Sequence, residues 1–302
     1  MKRRIALLLT VLVLALAAGA QAESHPLLYR VTDTEGHTVY LLGTIHVGRE
    51  DFYPLSDAVE QAYAEAEVLA VEADILAFSQ NLIKMTQMSM ALMYGPGDDA
   101  TKHMSPENYA LAVEKINYPE ILLRRMRLAA WMSLTEELSY DMAGLSSDLG
   151  VDMHLLRRAH ADGKPIDELE GMEEQMELLL GLPDSIVEMQ IMSSLENTAA
   201  AAAAINTLAL AWQNGNEALF TMLLQSEDVA LDQLPEEIRA DYEAYMDAMY
   251  QDRNAGFEEQ AIRYLADGKT ALIAIGAAHI VGEDGLAQRL ARDGFTVEEI
   301  GH

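Results

Sequence analysis

Val39-Tyr40-Leu41-Leu42-Gly43-Thr44-Ile45-His46 and Leu272-Ile273-Ala274-Ile275-Gly276-Ala277-Ala278-His279 lie at opposite ends of the chain and share one pattern. Each is an apolar run that leads into glycine, two further residues and histidine. Short apolar runs are consistent with buried strands, and glycine lets the backbone turn sharply where a strand ends. Sites in open α/β sheets form beyond the carboxyl ends of strands. We therefore expect His46 and His279 to project into a crevice at a sheet edge.

Further strand and helix signals lie on both sides of these stretches. Apolar and β-branched runs around a polar turn at residues 33–36 predict a hairpin. Predicted strands cover residues 27–32, 37–42, 68–71, 164–169, 270–275 and 295–300. Helical patterns dominate the long region between the terminal strands. The predicted fold is α/β, α+β in part, in which strands from both ends of the chain share one central sheet and a large helical block lies between them.

Three helical details can also be predicted. Pro54 is expected to open a helix that runs to Ala66, because proline is tolerated in a first helical turn. Asp74 is expected to cap the next helix, which covers residues 75–94. That helix carries Met85, Met88, Met90 and Met93. These side chains could line an apolar substrate groove, but methionine at helical spacing more often fills a core, and core packing is the favoured interpretation.

The first 22 residues have the pattern of a cleavable signal peptide. Lys2, Arg3 and Arg4 precede an apolar run at residues 5–18, and Ala20-Gln21-Ala22 fits the small-x-small cleavage rule. The run is shorter than the roughly 18 residues that a membrane span needs. We expect removal of residues 1–22, a single domain over residues 23–302, and a periplasmic or secreted protein with no membrane attachment after cleavage.

Composition limits the partners and the chemistry. The chain has 49 acidic and 20 basic residues and a formal net charge of −29. A field of this sign repels nucleic acid and anionic lipid surfaces, so no nucleic acid partner is expected. Cysteine is absent, which excludes disulfides and cysteine nucleophiles. The sequence contains no His-Glu-x-x-His run, Gly-x-Ser-x-Gly elbow or phosphate-binding Gly-x-x-x-x-Gly-Lys loop.

Two carboxylates could complete a site with the two histidines. Glu72 and Glu170 each follow a predicted strand, so both can reach the same sheet edge. Two imidazoles with one or two carboxylates are ligand types of zinc, manganese or iron sites. The same groups could act as general acid and base without a metal. His46, Glu72, Glu170 and His279 are therefore the candidate catalytic residues, and the choice between the two chemistries is open.

In their order along the chain, these motifs resemble the TraB/GumN family. The hairpin with the first Gly-x-x-His motif resembles the family's start, and Ile275-Gly276-Ala277-Ala278-His279 resembles its close. Further matching segments are Pro54-Leu55, Val71-Glu72-Ala73-Asp74, Gly150-Val151-Asp152, Ala159, Gly163-Lys164-Pro165, Leu169-Glu170 with Gln175, Trp212, Gly215, Arg253-Asn254, Gly285-Leu286 and Gly294-Phe295. The resemblance covers nearly all of residues 23–302, and the ordered set is specific although each piece is not.

The resemblance implies a shared fold and a site. The family includes the animal TIKI proteins, which are metal-dependent proteases with the same paired motifs, and its more distant relatives are similar to erythromycin esterases and haem-binding ChaN proteins. By this likeness, His46, Glu72 and His279 would hold a divalent ion such as zinc, manganese or cobalt. Glu170 and Arg253 match family positions whose roles are less defined.

Three functional hypotheses follow. The leading one is a metal-dependent, peptidase-like hydrolase of an unknown peptide or small molecule, in which the ion would polarise a carbonyl and activate water. The second is a metal-free, esterase-like hydrolase with His46 as general base. The third is a non-catalytic regulatory protein that binds a peptide, haem or polysaccharide-related ligand. Ala278 replaces the second glycine of the family's usual Gly-x-Gly-His motif, and its methyl group could narrow the approach of a ligand to the backbone.

Overall fold

A six-stranded sheet collects strands from both ends of the chain in the computed structural model, which describes residues 24–228 and 236–301. The strands are β1 (Leu28–Thr32), β2 (Thr38–Thr44), β3 (Val68–Val71), β4 (Ile166–Glu168), β5 (Ala271–Gly276) and β6 (Thr296–Glu299). Their spatial order is β4-β3-β5-β2-β1-β6. Strands β4, β3, β5 and β2 are parallel, whereas β1 is antiparallel to both β2 and β6. The predicted fold class is confirmed, as is the shared central sheet.

Helices account for most of the rest of the chain. Those before β4 are α1 (Asp57–Glu65), α2 (Ile75–Gln80), α3 (Leu82–Ala91), α4 (Pro106–Ile116), α5 (Glu120–Leu123), α6 (Leu128–Ala143) and α7 (Val151–Asp162). Those after β4 are α8 (Met172–Leu180), α9 (Asp184–Glu196), α10 (Thr198–Gln213), α11 (Glu217–Asp228), α12 (Glu236–Met246), α13 (Arg253–Ala266), α14 (Ala277–Ile280) and α15 (Leu286–Arg292). No helix among the described residues is long and apolar enough to cross a membrane. The predicted signal peptide, residues 1–22, lies outside the described residues.

The parallel pairing of β2 with β5 brings the two Gly-x-x-His motifs together. Gly43 lies opposite Ile275, and Thr44 lies opposite Gly276. Both strands are almost wholly buried, as expected for parallel strands that are covered on both faces. A Cβ atom on Gly43 would lie 3.0 Å from the Cβ of Ala277. Glycine at position 43 therefore allows the second motif to pack closely against the first.

Two hydrophobic cores support this arrangement. The larger core surrounds the sheet and includes Trp212 and Phe257. The smaller core lies within the helical block around Trp131 and Ile186. The buried Trp212 indole N–H donates to the Gly43 carbonyl at 2.7 Å. This bond fixes helix α10 of the helical block against the end of β2.

Two of the helical predictions are wrong in detail, and one is confirmed. Helix α1 begins at Asp57 rather than at Pro54, because Leu55 pairs with Ser24 in an isolated bridge and keeps the chain extended up to Ser56. The segment 75–94 divides into α2 and α3 at Asn81, whose side chain caps α3. The Asp74 carboxylate does cap α2, because it accepts the Ala77 N–H at 2.9 Å.

Core packing of the methionines is also wrong. Helix α3 has no buried residue, and Met85, Met90 and Met93 are all exposed. Spacing along a helix shows that its apolar residues share a face, but only the neighbouring elements decide whether that face is covered. Here the described elements leave it open.

Replacement of Gly43 by alanine is expected to destabilise the protein. The added methyl group must displace Ala277 in a tightly packed region, which costs about 1–3 kcal/mol. Urea unfolding followed by circular dichroism measures the change. Gly95→Ala is the matched control, because a Cβ at Gly95 meets no atom within 4 Å. Equal stability of the two variants would contradict the close packing of the two motifs.

Candidate functional site

The carboxyl ends of the parallel strands place three of the predicted residues at one sheet edge. Glu72 follows β3, Glu170 follows β4, and His279 lies on α14 directly after β5. Pairing continues past the strands, since the Glu170 N–H donates to the Glu72 carbonyl at 3.1 Å. All three residues are largely or fully buried. The structure therefore gathers them at the edge where α/β sheets usually carry their sites.

Arg253, the first residue of α13, lies at the centre of this cluster. Its Nε donates to Glu170 Oε1 at 2.7 Å, and its Nη2 donates to Glu170 Oε2 at 2.9 Å and to Glu72 Oε2 at 2.8 Å. A guanidinium that holds a carboxylate through two parallel bonds is among the strongest ion-pair geometries in proteins. One buried cation thus joins the ends of β3 and β4 to the C-terminal part of the chain.

Glu72 is fixed through both of its oxygens. Oε1 accepts the Gly276 N–H at 2.7 Å, and Oε2 accepts a bond from Gln175 at 3.0 Å in addition to the Arg253 bond. Burial alone would raise the pKa of the Glu72 carboxyl, but the charges of His46 and Arg253 outweigh it and hold the pKa below its usual value. Glu72 is therefore ionised and immobile, and Gly276 supplies a donor that only a close backbone approach can provide.

His279 uses both ring nitrogens in contacts with the protein. Its Nδ1 lies 2.8 Å from Asn254 Oδ1, and its Nε2 lies 3.0 Å from Arg253 Nη1. A guanidinium only donates and an amide oxygen only accepts, so this network assigns the proton to Nδ1 and the acceptor role to Nε2. Burial lowers the pKa of His279 to about 4. His279 is therefore neutral at physiological pH.

His46 has the opposite character. Its Nδ1 lies 2.9 Å from Asp152 Oδ2 on α7, and its side chain is 68% exposed. The Thr44 hydroxyl donates to the other oxygen of Asp152. The Asp152 carboxylate raises the pKa of His46 to about 9, and the His46 charge helps to keep the pKa of Asp152 below its usual value. Nε2 of His46 makes no hydrogen bond within the described residues, so it is available to a substrate.

A local change of helix type positions Arg253 and Asn254. Residues Asp247–Asp252 form a π-helical segment that joins α12 to α13. A π-helical turn is wider than an α-helical one and is common at functional sites. It alters the direction in which the next side chains project, and here two successive residues both reach His279. The π-helical segment thus places one buried cation, Arg253, and one amide, Asn254, beside His279.

Glu136 on α6 approaches the site from the helical block. Its charge interacts with that of His46 and with the hydroxyl groups of Tyr140 and Tyr245. Burial raises the pKa of the Glu136 carboxyl above its usual value. In the part of the chain that the structure describes, no hydrogen bond or ion pair reaches its carboxylate. Glu136 is thus a partly buried acid near His46 whose carboxylate has no hydrogen-bonding or ionic partner among the described residues.

The residues as arranged do not fit a metal ion. His279 Nε2 and Glu72 Oε2 are both engaged by Arg253, so the lone pairs that a metal would need are already in use. Across residues 24–228 and 236–301, no group of three or more His, Asp or Glu side chains is placed to hold a metal ion. Metal binding by His46, Glu72 and His279 therefore stays a prediction that requires Arg253 to withdraw.

Cavities flank the cluster on two sides. One has a volume of about 380 Å³, and Glu170, Gln175 and Arg253 lie in its wall. The other has a volume of about 170 Å³ and is lined in part by Asn254 and Ala278. The Ala278 residue that departs from the family's usual motif thus borders the smaller cavity. A ligand can approach Arg253 through the larger one.

Sequence reasoning identified some members of the site and missed others. It singled out His46, Glu72, Glu170 and His279, of which the last three share the Arg253 contacts. Asp152, Asn254 and Gln175 match the family in sequence but have no role predicted from it, and the sequence does not predict Glu136 as a site residue. A possible signal for Asp152 was its place two residues after Gly150 in the first turn of a helix. No local pattern marks Glu136.

The chain is similar to known proteins over most of its length. The family model for the TraB/PrgY/gumN family matches residues 27–299. The chain is 24% identical over 251 residues to Uncharacterized protein YbaP of Escherichia coli (strain K12), which is 83% of this chain and 87% of that protein. It has the same similarity to Uncharacterized protein YbaP of Shigella flexneri. No solved structure matches the chain significantly. Because the family model spans all six strands and the residues around Arg253, the chain belongs to the TraB/PrgY/gumN family.

Proposed function

We propose that the protein is an exported, esterase-like or peptidase-like hydrolase in which His46, oriented by Asp152, transfers the proton without a metal. The observation that carries the proposal is the His46–Asp152 pair. A histidine that is held at Nδ1 by a carboxylate and open at Nε2 has the geometry of a general base with its orienting group. The same logic underlies the base of Ser-His-Asp hydrolases, although here the nucleophile is water.

Each charged residue has a role in this proposal. His46 Nε2 removes a proton from the attacking water and later delivers it to the leaving group. Arg253 has five N–H donors, of which four contact Glu72, Glu170 and His279. The remaining N–H of Nη1 is the donor that we assign to the substrate's carbonyl oxygen, where negative charge develops. The carboxylates hold the guanidinium in place.

A metal-dependent, peptidase-like hydrolase is the second candidate. One observation favours it: two of the predicted ligands, His279 Nε2 and Glu72 Oε2, already converge on a single cation, the Arg253 guanidinium. An ion of zinc, manganese or cobalt in that position would need Arg253 to leave. It would supply Lewis-acid chemistry to the same carbonyl group. A purely binding function for a peptide, haem or polysaccharide-related ligand is the result if no hydrolysis is found.

Export is a separate part of the proposal. It is supported by the signal-peptide pattern of residues 1–22, with its basic start and apolar run. The periplasm or the exterior is the proposed location. Amino-terminal sequencing of the protein recovered from the periplasmic fraction tests this part, with Glu23 expected as the first residue.

The pH dependence of hydrolysis is expected to follow His46. A general base must be neutral, so kcat/KM for p-nitrophenyl acetate should rise with pH and level off above about 9, the pKa of His46. His46→Ala should lower the plateau about 10²–10⁴-fold. Asp152→Asn removes the charge that raises the pKa of His46, so the inflection of the pH profile should move down towards about 6.5.

The same shift is measurable without a substrate. Nuclear magnetic resonance titration of the His46 imidazole should show the high pKa in the wild type and the lower pKa in Asp152→Asn. Asp148→Asn is the control, because Asp148 is exposed and pairs with Arg157. An imidazole pKa that is the same in all three proteins would contradict the role of Asp152.

Metal content separates the two candidate mechanisms. We expect the purified wild type to keep its hydrolytic activity after exhaustive chelation, with no stoichiometric ion found by mass spectrometry. His279→Ala and Glu72→Gln should not change the metal content. One ion per chain in the wild type that is lost in both variants would replace the metal-free mechanism with the metal-dependent one.

Glu136 is expected to bind a positively charged group of the substrate. It is an acid near His46 whose carboxylate has no partner among residues 24–228 and 236–301, and pairing with an ammonium group would stabilise its ionised form. Glu136→Gln should raise KM about tenfold for alanine p-nitroanilide, which has a free amine, and leave KM for the N-acetylated compound unchanged. Glu137→Gln, at the neighbouring exposed position, is the control. Equal effects on both substrates would remove Glu136 from substrate recognition.

A further inference from the structure

Helix α3 and the residues that follow it form an apolar surface that the described part of the chain does not cover. No residue of α3 is buried, and Leu82, Ile83 and Met90 are each more than 70% exposed. Six of the twelve exposed large apolar side chains among the described residues lie within residues 75–93. We call the face formed by Leu82, Met85, Met90 and Met93 the α3 surface. Exposed apolar patches that are contiguous usually mark interaction sites.

A groove of about 520 Å³ runs along the α3 surface. Tyr94 in its lining is buried, and the exposed hydroxyl groups there are those of Thr86 and Ser89. These hydroxyls donate to the carbonyls of Leu82 and Met85 in the same helix, at 2.7 and 2.8 Å. The donor of each hydroxyl is thus used within the helix, so neither hydroxyl requires an acceptor from a ligand. The groove therefore favours an apolar occupant.

The charge distribution points to the identity of that occupant. Residues 85–97 contain no charged residue, in a chain whose formal net charge is −29. Lys84, at the edge of this stretch, is paired with Glu173 at 2.6 Å. Two copies of so acidic a chain repel each other over most of their surface. They can approach closely only where acidic groups are absent, and the α3 surface meets that condition.

We propose that two copies of the chain associate through the α3 surface, helix against helix, about a two-fold axis. A two-fold interface uses the same patch on both partners, so one apolar, uncharged face is sufficient. Methionine side chains are flexible and pack well against a copy of themselves. A basic protein partner would be attracted to the acidic surface elsewhere and would gain nothing from an uncharged groove.

A stable dimer needs an interface of standard size. Such an interface covers about 800 Å² on each partner. The α3 surface supplies the apolar centre. Helix α5 lies near its end, because the bridge between Met93 and Met126 joins the two segments, and Ile121 and Leu122 of α5 are 77% and 45% exposed. These side chains extend the apolar area beyond α3.

Sedimentation analysis of the purified protein tests the proposal. The wild type should be a dimer at about 10 µM, and added salt should tighten the dimer because it screens the repulsion between acidic copies. Met90→Glu introduces a carboxylate into the apolar face of both copies, and it should weaken dimerisation by about 100-fold or more. Hydrolytic activity per chain should not change, because α3 contributes no residue to the site.

The matched controls are Met142→Glu and Met222→Glu. Both methionines are 58% exposed and lie outside the α3 surface, so both variants should remain dimers. A monomeric wild type at high salt would overturn the proposal, as would a dimer that Met90→Glu leaves intact. Binding of the monomer to zwitterionic phosphatidylcholine vesicles, lost in Met90→Glu, would overturn it in favour of a lipid surface.

Discussion

The parallel pairing of β2 with β5 is the constraint on which the rest of the structure depends. It joins residues 40–44 to residues 272–276, and it places both Gly-x-x-His motifs at the same edge of the sheet. The adjacent parallel pairing of β3 with β5 then allows Gly276 to donate to Glu72 and places His279 beside Arg253, which binds the carboxylates that follow β3 and β4. The closeness of Gly43 to Ala277 depends on the pairing of β2 with β5, and the bond from Trp212 to Gly43 holds α10 against the end of β2.

The site divides into two electrostatic halves. On one side, Arg253 joins Glu72, Glu170 and a neutral His279 in a buried network. Burial of ion pairs is costly unless nearly every donor and acceptor is satisfied, and here both oxygens of Glu72 and of Glu170 are hydrogen-bonded. On the other side, His46 is held by the largely buried Asp152 and is itself open to solvent. A rigid network with its hydrogen bonds formed thus lies beside a histidine that can exchange protons.

Much of the sheet could be predicted because its signals are local. Apolar runs that end in glycine show where β2 and β5 stop, and a glutamate directly after a strand shares the edge of that strand. The contributions of Asp152, Asn254 and Glu136 depend instead on how helices pack. Asp152 and Asn254 lie in segments that resemble the family, but the sequence does not show which groups their side chains contact. No local pattern distinguishes the carboxylate of Glu136, which lies near His46, from one that faces water.

The same distinction explains the methionines of α3. Their spacing is equally compatible with a covered and an uncovered helix face, and the difference arises from elements distant in sequence. Arg253 illustrates a related limit. Arg253 matches the family in the order of motifs along the chain. Its position among Glu72, Glu170 and His279, however, depends on a π-helical segment that neither composition nor periodicity predicts.

The position of β5 in the sheet has a consequence for how the chain folds. This strand lies between β3 and β2, yet it is made from residues 271–276 of a 302-residue chain. During synthesis, β2 and β3 therefore emerge long before β5, the strand that lies between them in the sheet. Folding must wait for contacts of very long sequence separation, which are slow to form.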